Sequence, residues 1–243
     1  MQLWDRARLL ARAAVLEGSR SYSERDFKRN FVRQLKSRDV SVVFDVGANS
    51  GQYSAGLRKA GFAGRIVSFE PLSGPFSALE ARAANDPLWE CRQGALGDTD
   101  GTISINVAGN SGESSSVLPM LQRHQDAYPP ANYVDTEEVP IHRLDTVAPE
   151  IIGPTDVAFL KIDVQGFEKH VLAGGESTVN DRCVGIQLEL SFVPLYDGAM
   201  LIPEAVELLY SMGFRLTGML PCFVDPRNGQ MLQADGIFLR GDD

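Results

Sequence analysis

Cysteine is scarce in this 243-residue chain, with three in all. Cys91, Cys183 and Cys222 sit in no CxxC or Cys/His zinc spacing. An odd count without such spacing argues against a disulfide framework, and a reducing compartment, the cytoplasm, is the expected setting. Basic residues are outnumbered, 23 Lys and Arg against 32 Asp and Glu, for a formal charge of −9. A surface of that sign repels phosphate backbones, so nucleic acid is not the expected partner. Long apolar runs are missing too. The segment from Met1 to Leu16 is broken by Asp5, Arg6, Arg8 and Arg12, unlike a secretory signal or a membrane span, and no transmembrane segment is expected. There is no repeat and no low-complexity tract.

What is present is 44% hydrophobic residues, enough to bury the core of one domain with a small extension. Residues 1–40 read as a helical extension. Leu3, Ala7, Leu10 and Ala14 share one face, and Phe27, Phe31 and Leu35 share another. Such stripes pack as a cap on the core, or form a lid or a contact between copies in a homo-oligomer. From Ser41 to Val46 an apolar run ends at glycine and reads as a buried strand. Helix-like and strand-like stretches then alternate: Tyr53–Ala60, Arg65–Glu70, Pro71–Ala84, Glu90–Ala95. The alternation resumes with Val157–Asp163, Gly166–Ala173, Val184–Leu190 and Pro203–Met212. Two closing strands, near Phe214–Met219 and Gly236–Arg240, suit antiparallel pairing. This order predicts a doubly wound α/β domain over residues 41–243, with a seven-stranded, mostly parallel sheet, one antiparallel strand at its edge and helices on both faces. Thr102–Val107 alternates like an edge strand or a hairpin, and 110–136, rich in Ser, Pro, Gly and Asn, reads as a loop. Loops of that length inside a domain are often functional, and a surface insertion is the other reading.

The strongest local signal is Asp45-Val46-Gly47-Ala48-Asn49-Ser50-Gly51, where the first strand meets the first helix. Glycines there let backbone come close to a ligand at the carboxyl end of the sheet. A dinucleotide fingerprint requires GxGxxG, and Asn49 breaks it. That argues against the nicotinamide-dependent oxidoreductase alternative. The wider turn suits S-adenosylmethionine (SAM), which carries no phosphate. Glu70 ends the second strand and is placed to accept hydrogen bonds from ribose hydroxyls. Asp98, in Ala95-Leu96-Gly97-Asp98, is placed to meet an adenine amino group or to serve as a turn aspartate.

Several separated segments resemble the FkbM family of SAM-dependent methyltransferases. They are Phe44 to Gly51, Phe69-Glu70-Pro71, Ala95 to Asp98, Leu160 to Glu168, Pro194 to Gly198 and Gln233 to Gly236. Gln165 stands where the family commonly has Glu. The resemblance implies a seven-stranded class I methyltransferase sheet. It also implies SAM as cofactor and O-methylation of a small-molecule or glycan acceptor, commonly a sugar of a glycolipid, polysaccharide or natural product. The cofactor-contact candidates are Asp45, Gly47, Ala48, Asn49, Gly51, Tyr53, Glu70, Pro71, Leu96 and Asp98.

A hydroxyl acceptor must lose its proton during or after attack on the sulfonium methyl, so a base or a metal would help. Asp163 ends a strand beside the expected methyl position, Lys161 shares its face, and Glu189 nearly ends the next strand. Asp163 and Glu189 are candidate oxygen ligands for a divalent cation such as Mg²⁺. The same pair also suits metal-free catalysis, or a structural charge cluster with Lys161. His124, within the long loop, and His142, just after it, are lesser base candidates. Tyr196 is placed either to stack on a sugar face or to pack within its loop. A SAM-binding module without catalysis is the remaining alternative, since fold alone never proves activity.

Overall fold

The structure, a computed structural model, describes residues 24–241. The stripe of Leu3, Ala7, Leu10 and Ala14 lies outside the described residues. The chain folds as helix α1 (Glu24–Ser37), β1 (Val42–Val46), α2 (Gln52–Ala60), β2 (Arg65–Glu70), α3 (Ser73–Ala83), β3 (Trp89–Gln93), β4 (Ala95–Leu96) and β5 (Gly101–Ala108). Next come α4 (Gln122–Ala127), β6 (Tyr133–His142), α5 (Leu144–Ile151), β7 (Ala158–Ile162), α6 (Glu168–Gly174), α7 (Glu176–Arg182), β8 (Cys183–Ser191), α8 (Ile202–Ser211), β9 (Phe214–Val224) and β10 (Met231–Arg240).

Seven strands form the main sheet in the order β3-β2-β1-β7-β8-β10-β9. The central strands β1 and β7 are buried along their whole length, as strands covered by helices on both faces are, and apart from the Asp45 and Lys161 pair they are apolar. On one face lie α1, α2 and α3, through Phe31, Leu35, Leu57 and Leu79 packed with Val43, Ile66 and Phe159. Helices α5 to α8 cover the other face through Leu144, Leu172, Val179 and Leu209. Phe27, Phe31 and Leu35 thus pack on the core, the plainer reading of their stripe. At the exit of α2, Gly61 adopts φ 93° and donates to the carbonyls of Arg58 and Leu57, closing the helix.

Two details differ from the expected layout. The antiparallel strand is β10, which lies one place in from the edge, between β8 and β9. Thr102–Val107 belongs to a separate three-stranded sheet, β4-β6-β5. Its partner β6 is mostly exposed, so it carries little hydrophobic alternation and reads poorly as a strand. The 110–136 segment is also more ordered than its composition suggests. It holds α4, and Met120, Ala127 and Ala131 pack against Leu195, Tyr196 and Leu232. No helix among the described residues is long and apolar enough to cross a membrane.

Candidate active site

The carboxyl ends of β1, β2, β7 and β8 open into a cavity of about 600 Å³, within the usual range for small-molecule sites. Gly47 adopts φ 73°, and a Cβ there would sit 1.8 Å from the Asp163 carbonyl oxygen. The β1 turn and the end of β7 therefore touch backbone to backbone, an approach open only to glycine. Gly47→Ala is expected to lose on the order of 3 kcal/mol or more of folding stability. Chemical denaturation checks this, and parental stability in the variant would overturn it.

Glu70 sits at the other side of the turn and is 5% exposed. It accepts from Asn49 N–H at Oε2 (2.7 Å) and from Leu72 N–H at Oε1 (3.0 Å). Burial pushes its carboxyl up to about 7, although the two backbone donors pull the other way. Each oxygen keeps a lone pair for a further donor. The turn is held from below by Lys161, whose ammonium donates to the Gly47 carbonyl (2.8 Å) and lies 3.0 Å from Asp45 Oδ1. Burial works against that charge, but Asp45 and Asp163 outweigh it and hold the ammonium above its ordinary value.

Asp163 faces the cavity with a side chain 36% exposed, its Oδ2 3.7 Å from the Lys161 ammonium. Glu189 lines the same wall and is raised well above the usual carboxylate range by burial and by the neighbouring Asp163 charge. Between the two acids lies Gln165. Its Nε2 donates to Asp163 Oδ1 (2.7 Å) and to Glu189 Oε2 (3.0 Å).

This geometry does not fit the divalent-cation reading. The position between the carboxylates is held by an amide N–H₂, a donor that repels a cation. Among the described residues no third acid, His or Cys completes a ligand set. Turnover is expected to survive exhaustive chelation, and a loss restored by Mg²⁺ would overturn that.

Of the residues expected at the site, Gly47, Ala48, Asn49, Tyr53, Glu70, Pro71, Leu96, Lys161, Asp163 and Glu189 line the cavity. Four expected residues do not. Asp45 is fully buried beneath the turn, where Lys161 and the hydroxyls of Ser54 and Ser68 occupy its carboxylate. Gly51 serves packing: a Cβ there would meet Leu79 at 2.9 Å and Trp89 at 3.0 Å. Asp98 pairs with His170 Nδ1 at 3.0 Å, a contact that holds its carboxyl below the usual range. His142 is half-exposed beside Asp100. His124 does reach the cavity, where burial pushes its imidazole down to about 4 and Nδ1 has no hydrogen-bond partner among the described residues. Tyr196 is buried within its loop and gives no face to the cavity.

Sequence reasoning missed Gln187 and Asp235, which stand on β8 and β10 in the cavity floor, and Phe27, Lys28 and Phe31 of α1, which form a wall. The polar pairs Gln187/Glu189 and Gln233/Asp235, two apart in otherwise apolar strands, are the signal that marks the floor.

A model of the methyltransferase FkbM domain matches residues 45–216. The chain belongs to the FkbM methyltransferase family. A curated relative, 2-O-methyltransferase NoeI of Sinorhizobium fredii (strain NBRC 101917 / NGR234), is 27% identical over 200 residues, 79% of each chain. Among solved structures, magnesium protoporphyrin IX methyltransferase of Synechocystis PCC 6803 with bound SAM is similar at 11% identity and a TM-score of 0.47, covering 89% of this chain and 79% of that one. Precorrin-6y C5,15-methyltransferase of Geobacter metallireducens GS-15 is similar at 13% identity and a TM-score of 0.46, covering 88% and 87%. This FkbM-family chain is a SAM-dependent methyltransferase, which sets aside both the oxidoreductase and the non-catalytic alternatives.

Proposed function

We propose that this chain moves the methyl group of SAM to a hydroxyl oxygen of a sugar, with Asp163 receiving the hydroxyl proton. The observation that carries this is the placement of Asp163: a partly exposed carboxylate at the end of a central strand, facing a cavity whose opposite side holds Glu70. SAM supplies an activated methyl on a sulfonium, so alignment of the acceptor accounts for much of the rate.

The residues present fit that cofactor. Gly47, Ala48 and Asn49 bring the β1 turn to the cavity wall, and the free lone pairs of Glu70 suit ribose hydroxyls. Pro71, Leu72, Leu96 and Ile105 offer an apolar slot for a base. The acceptor lies against the rest of the cavity. Gln187, Glu189, Gln233 and Asp235 give amide and carboxyl groups for hydroxyls, and Phe27, Phe31 and Phe223 give apolar walls for ring faces. The relative whose name specifies 2-O-methylation supports an oxygen acceptor.

Mass spectrometry after incubation with SAM and a panel of glycans and glycolipids is expected to find a methyl ether on a sugar. Methylation confined to nitrogen or carbon acceptors would overturn the reading.

A further inference from the structure

We infer that Gln165 is a positioning residue that bridges Asp163 and Glu189 in place of a cation, and that Tyr196, anchored on the segment before α4, sets the direction of its amide. The Asp163 end of this inference rests on the role proposed for that residue above. The bridge itself does not.

A primary amide between two acids is useful only with its nitrogen toward them. Flipped, it would set a carbonyl oxygen against two carboxyl groups. Here the other end of the amide is held in the matching direction. The Tyr196 hydroxyl donates to Gln165 Oε1 at 2.7 Å, and an oxygen that accepts from a phenol must face that phenol. The nitrogen is thereby turned to Asp163 and Glu189. Tyr196 is buried, so water does not compete for this contact.

The backbone repeats the message. Gln165 has φ 55°, a left-handed conformation that disfavours every residue with a side chain except occasional Asn and Asp. The side chain is kept where glycine would be less strained, and it makes three hydrogen bonds there. The Gln165 carbonyl also accepts from the Ser116 hydroxyl at 2.7 Å, and the Tyr196 hydroxyl lies 3.2 Å from the Ser114 carbonyl. Ser114 and Ser116 line the cavity. The segment that closes one side of the site therefore also holds the bridge, and displacing it releases the amide. Gln233 completes the network by donating to Glu189 Oε2 at 2.7 Å.

A glutamate at position 165 would not be equivalent to this glutamine. Glutamate would place a third carboxyl group between two others, which requires a proton or a cation.

The test uses the full chain and needs no acceptor. Side-chain amide signals of Gln165 are identified in proton–nitrogen NMR spectra by their loss in Gln165→Leu. They are expected downfield and slow to exchange, to shift in Glu189→Gln, and to exchange faster in Tyr196→Phe. Signals at the position of a free amide, unmoved by either variant, would overturn the bridge. In parallel, Mn²⁺ binding is read by electron paramagnetic resonance. Gln165→Glu is expected to bind Mn²⁺ at least about tenfold more tightly than the parent, since a carboxylate is added to the ligand set. Equal binding by the two proteins would overturn the claim that the amide occupies a cation's place. Should Gln165→Glu fail to fold, the amide spectrum of the parent and of Tyr196→Phe decides alone. Turnover unchanged in Asp163→Asn sinks the base role and leaves the bridge to be judged by these spectra.

Discussion

Asp163→Asn is expected to lower turnover by roughly 10²–10⁴-fold, the usual worth of a positioned general base. The variant keeps the shape of the side chain and removes its charge and basicity. SAM affinity is expected to change far less, because the turn at Gly47 and the carboxyl of Glu70 lie on the other strands of the site. The two effects separate cleanly in one pair of measurements, single-turnover kinetics with acceptor and calorimetry with SAM. Near-parental turnover would remove Asp163 from the chemistry. Equal losses in turnover and in SAM affinity would make it a cofactor contact or a folding residue. A second consequence concerns Lys161. With the Asp163 charge gone, its ammonium keeps Asp45 at 3.0 Å and the Gly47 carbonyl at 2.8 Å, so the turn should persist.

Glu70→Ala is expected to weaken SAM binding by about 2–4 kcal/mol, the loss of two hydrogen bonds to a charged acceptor. The same change leaves the N–H groups of Asn49 and Leu72 without their carboxylate partner, so part of the loss reflects a loosened turn. Hydrogen exchange at Asn49 in the SAM-free variant measures that part. Unchanged SAM affinity would refute the assignment. The raised carboxyl adds a signed prediction. At about 7 in the free protein, Glu70 is close to half protonated at neutral pH. Hydroxyl donors from the cofactor favour its charged form and lower its pKa. Binding near pH 7 therefore releases a fraction of a proton, and this release fades above about pH 8, where Glu70 is already ionised. Calorimetry in buffers of different ionisation enthalpy reads the release directly. Proton uptake at pH 7 would reverse the sign and exclude Glu70 as the group that responds.

The layout of the sheet was legible in the chain because its central strands are buried on both faces. Val42–Val46 and Ala158–Ile162 are apolar but for Asp45 and Lys161, which neutralise one another, and runs of that kind ending at glycine or aspartate stand out. The turn glycine was legible for a similar reason: Gly47 has no room for a side chain, so its identity is dictated by the backbone around it. Glu70, Lys161, Asp163 and Glu189 were visible as charges at the ends of apolar strands. What those charges do was decided only in three dimensions. Asp45 and Lys161 lie in register on adjacent strands, which ties Asp45 up beneath the cavity. Asp98 lies just past β4 and His142 ends β6, where the strand pattern no longer determines the direction of a side chain, and their partners His170 and Asp100 turned them away. The choice between a cation and an amide at the two acids rested on Gln165, whose amide also meets Tyr196, 31 residues further along the chain. No periodicity reports a contact of that range. It exists because the loop after β8 and the turn after β7 close over the same end of the sheet, and there a phenol fixes which way one amide points.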